Sequence, residues 1–274
     1  MAKGLYQNVR YKGTIGGVTY RMLNGEYIAQ NKSSLSKETV ETSERFANTR
    51  KLNAEFKGCS DCAKYLHRTM QGGARQANPK TLKPYLYSEL FKYARKAMNA
   101  DTTGVFGQRK LNVGNMAPDL VGLEIAREKF DDLCLVPVTA SDQEQTANAT
   151  LAYNSFVPAS SFYAPQGAQG YLLLGFEIVA PNYEYDANTG TYSPIWAEDA
   201  PNNMMEVINL STGLVNSTTQ VAGGSEDFEL EIPSTQKGLR ITGVAIAFYK
   251  MIGATMYILA EGTGLKIIDA KPLV

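Results

Sequence analysis

A chain of 274 residues, 44% hydrophobic and 10% aromatic, is long enough for two modest domains with cores of their own and too apolar to be disordered. Its single histidine removes Ser-His-Asp, Cys-His and multi-histidine metal chemistry, each of which needs a positioned imidazole or several of them. The net charge of zero conceals a split, because residues 1–115 hold 20 Lys and Arg against 8 Asp and Glu, whereas residues 116–274 hold 7 against 19. Three arrangements account for such a split: the basic half binds nucleic acid or another polyanion, it docks on a neighbour's acidic half, or the halves attract within one chain.

The N-terminus lacks the apolar segment of a secretory signal, and no run reaches the roughly 20 apolar residues of a membrane span. The nearest approach, "ITGVAIAFYKMIGATMYILA", is interrupted by Lys250. Three cysteines, an odd number, argue against a disulfide framework. The expectation is a protein without a membrane span, made in a reducing cytoplasm.

The first element is "KGTIGGVTYRMLNGEYIAQNK", Lys12 to Lys32, whose glycines suggest a phosphate loop. A phosphate loop needs a lysine and a hydroxyl after its last glycine and then a helix, but Val18, Thr19 and Tyr20 follow Gly17 and favour a strand. Asn24-Gly25 lies between two such runs, and both residues tolerate the positive φ of a type I′ turn. The stretch therefore predicts a β-hairpin, Thr14 to Met22 paired with Glu26 to Asn31. Its residues Val18, Tyr20, Asn24, Gly25, Tyr27 and Ile28 are candidates for an assembly arm, since an open edge can add to a neighbour's sheet.

Next, Thr42 or Ser43 can cap a helix that stops at Gly72-Gly73. Within it Leu52, Phe56, Cys59, Ala63, Leu66 and Met70 recur at spacings of three and four, a heptad seam that implies a partner helix. Gly58 inside it costs about 1 kcal/mol relative to alanine. A second helix runs from Pro84 to about Met98, with Leu86, Leu90, Phe91, Ala94 and Met98 on one face, and the pair predicts an antiparallel helical hairpin. Arg68, Arg75, Lys80, Lys83, Lys92, Arg95 and Lys96 interleave with Tyr65, Tyr85, Tyr87 and Tyr93, the mixture of charge and rings that single-stranded nucleic acid uses. The plain alternative is that the rings are core positions and the cations an ordinary solvated face.

Residues 99–118 read as a Gly- and Asn-rich connector. Ten short β-rich runs follow: Leu133 to Thr139, Thr150 to Val157, Tyr171 to Val179, Tyr192 to Ala197, Met204 to Leu210, Leu214 to Val221, Phe228 to Ile232, Leu239 to Lys250, Thr255 to Glu261 and Leu265 to Asp269. "FELEI" alternates as a half-exposed strand does, whereas "YLLLGFEIV" is apolar on both faces and belongs mid-core. The fold class expected is α+β: a β-hairpin arm over 1–42, a basic helical region and connector over 43–118, and an acidic antiparallel β-sandwich, immunoglobulin-like or jelly-roll-like, over 119–274.

Three constellations invite chemistry. Cys59, Cys62 and His67, with Cys134 as a fourth ligand, contain the inventory of a zinc site, but the cysteine pair lies inside a helix rather than on a turn, so buried structural cysteines are the expectation and no cofactor is. Trp196 beside Glu198 and Asp199 suggests a sugar-binding rim, against which adjacent carboxylates on a loop fix no geometry. Asp186, Asn188 and Gly190 brush against a calcium loop, yet the glycine is one place early and the closing Glu is missing, leaving a hairpin turn.

The opening stretch, followed by "SERFANTRKLNAEFKGCSDCAKYLHRTM", "DLVGLEIA" and the ending "GLKIID", resembles a group of uncharacterised bacterial proteins associated with phages and mobile elements, mainly over the first 70 residues. The chain departs from their usual Arg near the hairpin's end by having Gln30. The resemblance implies a setting and no chemistry. A non-enzymatic structural protein of a phage-like particle or filament is the leading expectation, with itself and other particle proteins as partners and the virion as its destination. The alternatives are a nucleic-acid-binding accessory protein and a carbohydrate-binding or adhesive sandwich.

Overall fold

The structure is a computed structural model that describes residues 12–31, 36–77, 82–143, 146–200 and 204–274. The chain forms two compact units, residues 1–50 and 51–274.

In the first unit, β1 (Gly13–Ile15), β2 (Val18–Leu23) and β3 (Glu26–Asn31) make an antiparallel meander in the order β1-β2-β3. Asn24 (φ 52°) and Gly25 (φ 82°) form the expected turn, pairing Met22 with Tyr27 and Val18 with Asn31. The single first strand expected from Thr14 to Met22 is instead two. Gly16 (φ 55°) and Gly17 (φ 84°) make a second turn with both central residues at positive φ, the same backbone demand met by a different dipeptide. A short helix α1 (Lys37–Thr42) follows, capped by Ser36, whose Oγ accepts the Thr39 N–H at 3.0 Å. Ser43, the expected cap of the long helix, makes no side-chain capping bond; one 3-10 turn (Glu44–Phe46) intervenes before α2 (Ala47–Ala77).

The second unit is built around a six-stranded antiparallel sheet of β6 (Gly170–Asp186), β7 (Thr191–Ile195), β8 (Met205–Leu214), β10 (Gly238–Ile252), β11 (Thr255–Ile258) and β12 (Gly264–Leu273). β6 and β10 pair over twelve residues at its centre and bury both faces, as the two-sided apolar run in β6 requires. Alternate residues point to opposite sides, and each side has its own core. Leu174, Phe176, Ile178, Ile241 and Ile267 face α2 and α3 (Leu86–Asn99), while Tyr171, Leu173, Val244, Ile246 and Phe248 face a smaller sheet. That sheet is β4 (Val138–Asp142), β5 (Ala149–Tyr153) and β9 (Gly224–Asp227), in the order β4-β5-β9. The layers are therefore helices, large sheet, small sheet. Short helices α4 (Ala117–Leu120), α5 (Phe130–Leu133) and α6 (Pro158–Ser161) close the connections. Of the three segments expected from the sequence, the second and third share this core.

The helical hairpin forms antiparallel: Glu55, Phe56 and Ser60 of α2 meet Arg95, Phe91 and Tyr87 of α3 in that order. The seam's partners lie on both sides, α3 on one and the sheet on the other. Cys59, Ala63, Leu66 and Met70 are buried, but Leu52 is only half-buried and Phe56 is exposed, so the seam runs out at its N-terminal end. Gly72-Gly73 does not stop the helix. At Gly73, and also at Gly58, the missing Cβ admits a side chain from the sheet, Met205 and Tyr192 respectively, and close packing rather than termination is what these glycines serve. α3 begins two residues after Pro84, from a left-handed Tyr85 (φ 72°).

One expected strand is displaced and two are absent. Leu133 to Thr139 starts as the end of α5 and reaches β4 only at Val138; Leu214 to Val221 turns away after β8, leaving one bridge from Val221 to Phe156. Phe228 to Ile232 keeps its alternating burial but has no strand partner; the Phe228 carbonyl accepts side-chain N–H groups of Gln143 and Asn148 instead.

Candidate functional site

The N-terminal sheet is where the sequence placed an arm, and its register sorts the residues in a way the sequence did not reveal. Residues opposite one another across antiparallel strands share a face. The pairs Ile15–Val18, Tyr20–Ala29 and Met22–Tyr27 therefore put Ile15, Val18, Tyr20, Met22, Tyr27 and Ala29 on one side. Thr14, Thr19, Arg21, Glu26 and Gln30 lie on the other, with Leu23 and Ile28. Apart from Asn31, which pairs with Val18, the first face is apolar, and the other is largely polar. No described residue of this sheet is buried, and Ile15, Met22 and Tyr27 keep 56%, 47% and 41% of their surface exposed.

Of the expected arm residues, Val18, Tyr20 and Tyr27 share the apolar face, Asn24 and Gly25 make the turn, and Ile28 lies on the polar face. The sequence reading missed Ile15, Met22 and Ala29. The pattern I-x-x-V was legible, but only a turn at Gly16-Gly17 brings Ile15 opposite Val18.

The cations expected to meet a polyanion do not converge. Arg95 is drawn inward, 3.6 Å from the fully buried Glu55 and stacked over the Phe56 ring at 4.3 Å. Lys83 pairs with Glu89 and Lys96 with Asp119, and Lys80 lies outside the described residues. Arg68, Arg75 and Lys92 are exposed with no carboxylate within 4 Å among the described residues. Of the four tyrosines, Tyr65 donates to the Val179 carbonyl, Tyr87 meets Ser60, and Tyr93 is half-buried against the helix-side core; only Tyr85 is open to solvent. Rings that are packed cannot stack on bases.

Cys59 and Cys62 are fully buried among the helices, Cys59 touching the Met98 sulfur at 3.7 Å. His67 lies edge-on to Tyr87. Cys134 is buried in the other core, on the far side of the large sheet. Burial pushes the Cys59 thiol up to about 11 and the Cys134 thiol up to about 12, and raises Cys62 further. Among the described residues no three His, Cys, Asp or Glu side chains gather as metal ligands. Trp196 packs edge-on against Tyr65, while Glu198 and Asp199 stay exposed and outside the groove that Trp196 lines with Lys110, Asn112 and Thr235. The Asp186 carboxylate accepts the Asn188 N–H and the Thr189 hydroxyl, closing the β6–β7 hairpin, with Gly190 at φ 67°.

Two carboxylates are fully buried in the second unit. Burial alone would raise Glu55, but bonds from Arg109 and the Gly107 N–H, with the charges of Arg109 and Arg95, outweigh it and hold the group below its ordinary range. Glu177 goes the other way. It accepts the Ala149 N–H at 2.8 Å, its second oxygen has no partner, and burial pushes it up to about 7. Arg240 nearby directs its terminal nitrogens to the Ala147 carbonyl, Asp142 and Asp269, linking the two sheets. Among the described residues no helix is long and apolar enough to cross a membrane.

No family model, no curated protein and no solved structure matches the chain.

Proposed function

We propose that the protein is a non-enzymatic structural subunit that assembles through its N-terminal arm, in the setting of a phage-like particle or filament. The observation that carries this reading is the three-stranded sheet with a sorted apolar face and no buried residue. Fixing a residue's backbone costs about 1–2 kcal/mol, and a small sheet stands only when an apolar face is covered. The arm is therefore a surface that a partner completes. The phage-like setting comes from the resemblance of the opening stretch, and of the two perturbed carboxylates Glu55 serves cohesion inside the core whereas Glu177 sits between the two sheets rather than in a groove.

The face has a size that matters. Six residues at about 3.3 Å across strands about 4.8 Å apart cover on the order of 250 Å², well short of the roughly 800 Å² per partner of a lasting interface. One arm contact is weak, and assembly needs a second contact or many arms at once. The test is light scattering after size-exclusion chromatography on nuclease-treated protein, with and without residues 1–32. The deletion should convert a large species into monomer, and a deletion that leaves the size unchanged overturns the reading.

A further inference from the structure

Two surfaces of opposite charge lie on the opposite layers of the second unit. Along α2 the outward positions Lys57, Asp61, Lys64, Arg68, Gln71 and Arg75 follow one another at spacings of four and three, so they lie on one side of the helix. Over those nineteen residues, about 27 Å at 1.5 Å per residue, the stripe carries four cations and one carboxylate, and Asp61 is taken by Lys64 at 3.3 Å. Lys57, Arg68 and Arg75 have no carboxylate within 4 Å among the described residues. The inward side of the helix is committed, with Cys59, Cys62, Ala63 and Leu66 buried against α3 and the large sheet.

Beyond the large sheet lies the complement. β9 is an edge strand of the small sheet, and from it runs "EDFELE", in which Glu226, Asp227, Glu229 and Glu231 are exposed while Phe228 is buried. None of the four has a cation within 4 Å among the described residues. Asp227, Glu229 and Glu231 line a groove with Asn148, whose side-chain oxygen is buried and without a partner. Helices and small sheet cover opposite faces of the same sheet, so the basic stripe and the acidic segment lie on opposite sides of one compact unit.

We propose that the basic stripe of α2 docks on the acidic 226–231 segment of a second copy, giving a head-to-tail contact that repeats. Charges on opposite sides of one body cannot neutralise each other within it, but each matches the other on a neighbour, and such heterologous contacts propagate into open polymers or rings. A nucleic acid is the poorer occupant, because three of the four tyrosines among these cations are already packed. The inference rests on the self-assembly reading but uses none of the arm's residues.

The test is a charge swap in the full chain. In R68E/R75E both the stripe (net −1) and the segment (net −4) are acidic, and in E226K/E229K/E231K both the stripe (net +3) and the segment (net +2) are basic, so each variant should repel itself. Each alone should raise the concentration at half-assembly at least tenfold at low salt, with thermal melting unchanged. An equimolar mixture, and the quintuple variant in one chain, should restore assembly, because each then again presents opposite charges. Reversals that assemble like the wild type, or losses that neither the mixture nor the quintuple variant repairs, overturn the proposal. So does an R68E/R75E variant that loses binding of a single-stranded oligonucleotide while assembling normally. An arm deletion without effect beside a swap that works would sink the arm reading and leave this one standing.

Discussion

The two units of the chain solve the problem of apolar surface in opposite ways. The second covers both faces of its central sheet, one with helices and one with a smaller sheet, and β6 and β10 are buried along most of their length. The first presents a sheet of the same antiparallel type whose apolar face no described residue buries. Under the proposed assembly the contrast separates residues that hold the fold from residues that would meet a partner, and substitutions in the two should fail in different assays.

The largest effect belongs to the core. Phe248→Ala removes a fully buried ring packed against Phe162 and should lower unfolding free energy by about 3–5 kcal/mol, read by chemical denaturation. Close behind, Glu55→Ala leaves Arg109 and Arg95 without their carboxylate and should cost about 3 kcal/mol. If either change were tolerated without loss of stability, the second unit would not be the compact unit described.

Glu177 sharpens the comparison through pH. Its folded pKa of about 7 lies above the ordinary 4.5, so the native state binds the proton more tightly. Its contribution to stability is fully present below about 4.5 and is lost as pH rises through about 7. Glu177→Gln keeps an acceptor for the Ala149 N–H, so it should be neutral near pH 4.5 and stabilising by about 1–3 kcal/mol at pH 8. Equal stability of variant and wild type at both pH values would contradict that placement of the group.

The smallest effect on stability belongs to the arm. Met22→Ser with Tyr27→Ser should change the unfolding free energy by less than about 0.5 kcal/mol, since both side chains are exposed. The same pair should nonetheless lower the oligomer fraction, which light scattering reads.

How much of this was legible in the sequence follows the same division. The Asn24-Gly25 turn, the helix pair and the two-sided β6 run were readable because each depends on local backbone preference or on periodicity. Gly72-Gly73 misled, because a glycine needed for close approach of Met205 has the same letter as a helix stop. "FELEI" misled because alternating burial marks an extended segment whether or not a strand pairs with it. The apolar face of the arm stayed hidden until the second turn fixed the register. The basic stripe was hidden by its own company: Arg95 and Lys96 look like Arg68 and Arg75 in the sequence, and only the packing of α3 on α2 turns Arg95 inward.

The most direct measurement is sedimentation velocity across a concentration series for three proteins: wild type, M22D/Y27D on the apolar face of the arm, and T14K/Q30K on its polar face. The account predicts a wild type that grows with concentration, a polar-face variant that matches it, and an apolar-face variant that remains monomeric. A monomeric wild type, or two variants that behave alike, would contradict it.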